Sequence, residues 1–250
     1  MSGHSKWSQI KRQKGANDAK RGALFTKVAR EIVVAARQGG GDPDANYRLR
    51  LAIEKARSIN MPADNIKRAI ERASGAGEGE QYEEVVYEGY GPGGVAVLVE
   101  TQTDNRNRTA ADVRSMFSKA GGQLAGSGAV AWQFERRGLL TVPREGVDPD
   151  EVALAAIDAG AEDVDTESDE HVEIYTSPAD LEHARRTLEQ AGYRVDSAET
   201  TMVAKQTVEL DSHRARQNLR LVELLEDLDD VQRVTANFEI PEDVFAEVAG

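Results

Sequence analysis

The residues best suited to chemistry in this sequence are cations near its beginning. Lysine and arginine neutralise phosphates and release the counterions condensed on a nucleic acid, and a tryptophan among them offers a face on which a base or a ribose can stack. Within residues 3–15 the candidates are Lys6, Trp7, Lys11, Arg12 and Lys14. The alternative is that Trp7 and Ile10 anchor this arm on a hydrophobic core and leave its cations in solvent.

More cations follow on a predicted helix that starts near Ala19 and ends at the glycines of positions 39–41. At about 100° per residue, its apolar side chains share one face: Leu24, Val28, Ile32 and Ala35. Its basic side chains lie roughly opposite: Lys20, Lys27, Arg30 and Arg37. With Arg21, they complete the predicted nucleic-acid-binding residues. We expect one face of this helix to pack and the other to stay open to a polyanion.

A second candidate site is the loop of residues 103–109, which leads from a predicted strand into a predicted helix. Helix N-termini present unpaired amides to anions, and Thr109 with Asp112 could form a capping box there. We predict a phosphate or partner contact by four residues of this loop: Asn105, Arg106, Asn107 and Arg108. Alternatively, the two arginines pair with nearby carboxylates such as Glu100 or Asp104.

The sequence offers no recognisable catalytic or metal-binding constellation. It has no cysteine, which excludes thiol catalysis and zinc sites with sulfur ligands, and its four histidines lie far apart. Residues 89–94 formally match the dinucleotide-binding pattern G-x-G-x-x-G, but a strand and not a helix is predicted to follow them, so we reject the match. We therefore predict no enzyme activity, cofactor, metal or small-molecule substrate.

Charge divides the chain into two unlike parts. The net charge is −13, but residues 1–75 contain 16 Lys and Arg against 7 Asp and Glu, a net charge of +9, which leaves −22 for the remainder. The change falls at residues 74–79, a small-residue stretch typical of a linker. This pattern favours a basic module for a polyanion joined to acidic modules, although two ordinary solvated surfaces could also differ this way. Without an 18-residue apolar run or a hydrophobic segment in residues 1–7, we expect a cytoplasmic protein that binds no membrane.

The elements predict an α+β multidomain fold that opens with a basic three-helix bundle, residues 1–77. Its second helix is predicted to start at Asp42-Pro43 and its third at residues 60–62. Residues 136–204 follow the order βαββαβ, which indicates a ferredoxin-like α/β domain.

The elements on either side of residues 136–204 are incomplete by themselves. Two strands, a helix from Thr109 and a strand near residues 129–134 precede that segment, and a helix at 212–228 and a strand at 234–240 follow it. We predict that they form one discontinuous ferredoxin-like domain, residues 78–135 plus 205–250, into which the domain of residues 136–204 is inserted. The alternative is three separate lobes with the tail draped on the third.

Three long segments carry a family resemblance: GHSKWSQIKRQKGANDAKRGALFTKVAREI, NYRLRLAIEKARSINMPADNIKRAIERASG and YEGYGPGGVAVLVETQTDNRNRTAADVRSMFSKAGG. They closely resemble the YebC/PmpR family, which includes the mitochondrial translational activator of cytochrome oxidase. The resemblance implies an N-terminal helical domain, two α/β domains, and no enzyme activity or cofactor. It also implies either a DNA-binding transcriptional regulator or a translation factor that acts on the ribosome.

From the sequence we expect a cytoplasmic nucleic-acid-binding regulator of gene expression, first of all a DNA-binding transcriptional regulator. A ribosome-associated translation factor that relieves stalling or activates translation, with ribosomal RNA as its partner, is the alternative. An acidic scaffold that recruits proteins is an alternative of another class.

Overall fold

The computed structural model describes residues 18–74 and 81–249, and the first of these parts is helical. Its helices pack around one hydrophobic core: α1 (Asp18–Gly39), α2 (Tyr47–Ser58) and α3 (Ala63–Ser74). The core takes Val28, Ile32 and Ala35 from the predicted apolar face of α1, and also Val33 and Ala36 beside it. Helix α1 is therefore enclosed on more sides than a single apolar stripe predicts. The prediction is wrong at Leu24, whose side chain is exposed.

Helix α2 begins later than the sequence predicts, because a buried asparagine caps it. The side-chain oxygen of Asn46 accepts a hydrogen bond from the Leu49 N–H at 3.1 Å, and its amide donates to the carbonyls of Ala35 and Gly40, both at 2.8 Å. The predicted start at Asp42-Pro43 is wrong, since residues 43–45 form a turn that Asn46 ties to α1.

The second part of the chain opens with a hairpin, a helix and a short strand: β1 (Glu83–Gly91), β2 (Val95–Thr103), α4 (Arg106–Lys119) and β3 (Gln123–Leu124). The hairpin turn places Gly93 at φ +83° and Gly94 at φ +81°. Only glycine adopts this left-handed region without steric cost, which explains the glycines that resembled a nucleotide-binding loop. Strands β1 and β2 pair antiparallel along their whole length.

The strand predicted near residues 129–134 is wrong, because a carboxylate holds this segment in another conformation. Residues Ala131–Gln133 form a short 3-10 helix. The buried Glu88 of β1 accepts hydrogen bonds from the N–H groups of Gly128 (2.6 Å), Val130 (2.7 Å) and Ala131 (2.8 Å). Burial raises the pKa of Glu88, but these three donors outweigh burial and hold the pKa below its ordinary value.

A second sheet follows, with its elements in the predicted order: β4 (Phe134–Pro143), α5 (Pro149–Asp158), β5 (Asp163–Asp165), β6 (His171–Thr176), α6 (Leu181–Gln190) and β7 (Ser197–Ala204). The strands lie in the order β5-β6-β4-β7 and all neighbours are antiparallel. This is the strand order of a ferredoxin-like sheet. Leu140 and Ile174 on the sheet pack with Leu181 and Leu188 of α6.

The last elements return to the first sheet: α7 (Ser212–Glu226), β8 (Val231–Ala236) and α8 (Glu242–Ala249). Strand β8 pairs antiparallel with β2, which gives the order β3-β1-β2-β8. Helices α4 and α7 pack on this sheet, where Phe117, Leu221 and Leu225 are fully buried. Unlike the second sheet, the first begins with a hairpin rather than a strand–helix–strand unit.

The predicted fold class, an α+β chain with N-terminal helices and two α/β sheets, is confirmed. The final strand ends earlier than predicted, and helix α8 after Pro241 was not predicted. Within residues 18–74 and 81–249, no helix is long and apolar enough to span a lipid bilayer.

Candidate nucleic-acid interface

The predicted nucleic-acid-binding residues fall into three groups in the structure. The arm residues Lys6, Trp7, Lys11, Arg12 and Lys14 lie outside the described residues. Lys20 and Arg21 belong to the first turn of α1, whose side chains are described from Gly22 onward. The remaining three, Lys27, Arg30 and Arg37, lie on the described part of α1.

Lys27 and Arg30 point toward the turn between α7 and β8 and not toward solvent. Lys27 Nζ donates to the carbonyl of Glu226. Arg30 Nη1 lies within hydrogen-bonding distance of two carbonyls, those of Gln102 (2.8 Å) and Asp229 (2.9 Å), and of Asp230 Oδ1 (2.9 Å). The Arg30 side chain is only 10% exposed.

The predicted open cationic face is therefore wrong at Arg30, because a helical-wheel pattern cannot distinguish solvent from a second, acidic part of the same chain. The guanidinium also lies 4.8 Å from the ring centre of Tyr82, within the range of a cation–π contact. Arg30 holds the helices against the first sheet. Arg37 is half-buried in the last turn of α1.

Asp230, just before β8, is the centre of this contact. Besides Arg30, it accepts hydrogen bonds from Arg108 Nη2 at 2.7 Å, from the Thr109 hydroxyl at 2.6 Å and from the Thr103 hydroxyl at 3.2 Å. Burial raises the pKa of Asp230, but the bonds from Arg108 and Thr109 and the charge of Arg30 outweigh burial and lower it. One carboxylate thus joins α1, the start of α4 and the start of β8.

The loop of residues 105–108 forms the first turn of α4 and its cap. The cap is Asn105, whose side chain accepts from the Arg108 N–H at 3.1 Å. The predicted capping box of Thr109 with Asp112 is wrong, since the helix starts three residues earlier and Thr109 is buried inside it.

Both arginines of this loop form ion pairs, while the Asn107 side chain is exposed. Arg108 pairs with Asp104 at 2.7 Å as well as with Asp230, and these hydrogen bonds raise its pKa. Arg106 lies 3.6 Å from Glu83. The alternative prediction, that these arginines pair with nearby carboxylates, is confirmed for Arg108 and Asp104. The other suggested partner, Glu100, lies near Arg233 instead.

Further ion pairs hold the N-terminal helices against both sheets. Glu84 of β1 accepts from Arg48 of α2 and from Gln38 of α1 at 2.9 Å, and the Arg48 hydrogen bond is the main reason that the pKa of Glu84 falls to about 2. Arg185 of α6 pairs with Glu54 of α2 at 2.7 Å.

Four further cations of the N-terminal helices have exposed side chains but were not among the predicted binding residues: Arg57, Lys67, Arg68 and Arg72. The buried Ile66 and Ala69 set the inner face of α3, and this pattern could have located the basic residues on its outer face. Within the part of the chain that the structure describes, no group of three His, Cys, Asp or Glu side chains could hold a metal ion.

Family models cover nearly the whole chain. The model described as the TACO1/YebC protein N-terminal domain matches residues 5–76, and that of the TACO1/YebC second and third domain matches residues 82–238. A probable transcriptional regulatory protein of Rubrobacter xylanophilus is 58% identical over 251 residues, which are 100% of both chains.

Similarity to other proteins is also nearly full-length. A probable transcriptional regulatory protein of Dehalococcoides mccartyi is 57% identical over 98% of this chain and 97% of its own. The crystal structure of a conserved hypothetical protein from Aquifex aeolicus superimposes with a TM-score of 0.85 at 50% identity, over 90% of this chain and 93% of the other. The chain therefore belongs to the TACO1/YebC family.

Proposed function

We propose that this protein is a cytoplasmic, non-enzymatic regulator of transcription that binds duplex DNA through its N-terminal domain. The observation that carries the proposal is the net charge of +9 on residues 1–75 of a chain whose remainder carries −22. Arg30 and Arg48 of this segment pair with carboxylates of the first sheet's domain, but Arg57, Lys67, Arg68 and Arg72 have exposed side chains. We infer that these cations, together with those of residues 6–14, meet a polyanion. The names of the curated relatives, probable transcriptional regulatory proteins, agree with DNA as that polyanion.

The charges of the N-terminal domain suit the phosphate backbone better than base edges. The exposed residues of α3 have both signs, with Asp64 and Glu71 beside Lys67, Arg68 and Arg72. A helix that reads the major groove usually offers Asn, Gln and Arg side chains on one surface. We therefore expect DNA binding with a large electrostatic component and modest sequence preference.

This mixed surface also supports the second candidate, a translation factor that binds ribosomal RNA. Backbone and shape contacts dominate recognition of double-stranded RNA, so base-reading side chains are not needed there. The two candidates share the N-terminal surface and differ in the nucleic acid that occupies it.

Crosslinking in cells, followed by sequencing of the bound nucleic acid, separates the candidates. Recovery of chromosomal DNA that is lost with Lys11→Ala plus Arg12→Ala supports the proposal, and recovery of ribosomal RNA would move the function to the ribosome. The matched control is Arg186→Ala plus Arg194→Ala, which removes two exposed cations from the second sheet's domain. If the protein captures neither nucleic acid, the acidic scaffold replaces both candidates.

A further inference from the structure

The outer face of α7 is basic, although it lies in an acidic part of the chain. Residues 212–222 contain three arginines and one histidine and no Asp or Glu. The inner face packs on the first sheet through Ala215, Leu219 and Val222. The spacing i, i+3, i+4 and i+7 leaves one outward stripe: His213, Arg216, Gln217 and Arg220.

The end of α4 forms the other wall of a groove along this stripe. That wall consists of residues 118–121, and the space between the walls has a volume of about 530 Å³. Gly121 has φ +78°, a conformation typical of the residue that terminates a helix, so the chain turns away there and the groove stays open.

The cations of this groove keep unused hydrogen-bonding capacity. Among the described residues, Lys119 forms no ion pair, and Arg220 is 67% exposed and only approaches Glu223, at 3.8 Å. Arg216 pairs with Glu247, yet its side chain is 45% exposed. In contrast, Arg30 is enclosed by its partners at 10% exposure.

We propose that this groove binds the phosphodiester backbone of the nucleic acid held by the N-terminal domain. Lys119, Arg216 and Arg220 supply the positive charge, and Ser118 and Gln217 supply neutral hydrogen bonds for a phosphate or a sugar. This inference rests on the proposed function, which it extends to a second site.

The groove is separate from the contact that joins the N-terminal helices to the first sheet. Helix α4 meets the N-terminal helices at its first turn, through Arg108 and Asp230, whereas Lys119 ends the helix. At 1.5 Å per residue, these two ends of α4 lie about 17 Å apart. A nucleic acid held by the N-terminal domain that also reaches this groove would gain affinity from two linked contacts.

The test uses the full chain with Lys119→Ala plus Arg220→Ala, two changes outside the hydrophobic core. The probes are a fluorescein-labelled 20-bp DNA duplex and an RNA hairpin of the same sequence, followed by anisotropy between 50 and 200 mM salt. Loss of two phosphate contacts should reduce the slope of log affinity against log salt by about 2 and the affinity at 0.1 M salt by roughly tenfold or more. The control variant, Arg186→Ala plus Arg194→Ala, removes the same charge and should leave the salt slope and the affinity nearly unchanged.

A second variant, Lys11→Ala plus Arg12→Ala (the arm variant), distinguishes failure of the groove proposal from failure of the proposed function. If the groove variant binds like the control while the arm variant is weakened, the groove proposal is overturned and the proposed function stands. If the groove variant is weakened and the arm variant is not, the groove is the main site and the N-terminal assignment fails. If wild type binds neither probe at 50 mM salt, the groove proposal and the proposed function both fail. If the groove variant and the arm variant are both weakened, the result supports binding at both sites.

Discussion

Asp230 should be the carboxylate on which the contact between the N-terminal helices and the first sheet depends most strongly. Its side chain is 8% exposed and that of Arg30 is 10% exposed, so their ion pair is almost fully desolvated. Asp230→Asn keeps the shape but removes the charge that Arg30 and Arg108 both face. Breaking a buried pair by neutralising one partner costs about 3–5 kcal/mol, and we expect a loss near 3 kcal/mol because Arg30 keeps two carbonyl acceptors.

The energy that couples the pair can be measured with a double-mutant cycle. The free energy of unfolding is measured by urea titration for wild type, Asp230→Asn, Arg30→Met and the double variant. We expect a coupling of about 1–3 kcal/mol, since the two side chains share a buried hydrogen bond. As a control, Arg106→Ala removes a pair that is 64% exposed at the arginine and should cost at most about 0.5 kcal/mol. A coupling near zero between Arg30 and Asp230 would refute the reasoning.

Three further predictions follow from the polar contacts. The pKa of Glu84 is lowered to about 2 in the folded protein. Glu84 therefore stabilises the fold at pH values above its unfolded-state pKa, and this contribution is lost as the pH falls through its folded-state pKa. Acid titration of wild type should show a loss of stability between about pH 5 and 2, and Glu84→Gln should reduce that loss. Glu88→Gln should lower the free energy of unfolding by about 3 kcal/mol, because the amide NH2 cannot accept and leaves at least one of the three N–H groups without its acceptor. Circular dichroism during urea unfolding measures this change, and an unchanged midpoint would contradict the role of Glu88. Arg106→Ala plus Arg108→Ala should change the affinity for duplex DNA by no more than about twofold in an anisotropy titration. Three carboxylates, those of Glu83, Asp104 and Asp230, lie beside these two arginines, so the loop offers a phosphate no excess of positive charge. A loss as large as that of the arm variant would make this loop part of the DNA-binding surface.

Local sequence patterns predict the second sheet well because each of its helices and strands has a clear pattern of apolar residues. Strand β6 carries Val172 and Ile174 at alternating positions, and α6 has a strong apolar stripe of Leu181, Ala184 and Leu188. Handedness and short connections then restrict how such elements can pair. Helix α8 also had a visible signal, since Pro241 precedes it and Glu242 and Asp243 occupy its first turn.

Contacts between distant residues were not predictable from one sequence. Arg30 and Asp230 are 200 residues apart, and nothing local distinguishes Arg30 from a cation left in solvent. Glu88 looks like an ordinary strand carboxylate until three N–H groups of a loop 40 residues away converge on it. For the same reason, the groove beside α7 was missed, because its walls come from two helices that meet only in the fold.

The salt dependence of DNA binding by the full chain tests the central claim most directly. Engagement of about six phosphates predicts a log–log slope near −5 on a DNA duplex. Reversing the charge of Lys6, Lys11, Arg12 and Lys14 should flatten that slope by roughly one unit per lost contact and weaken all polyanions alike. An unchanged slope and affinity in this variant would contradict the assignment of nucleic-acid binding to the N-terminal domain.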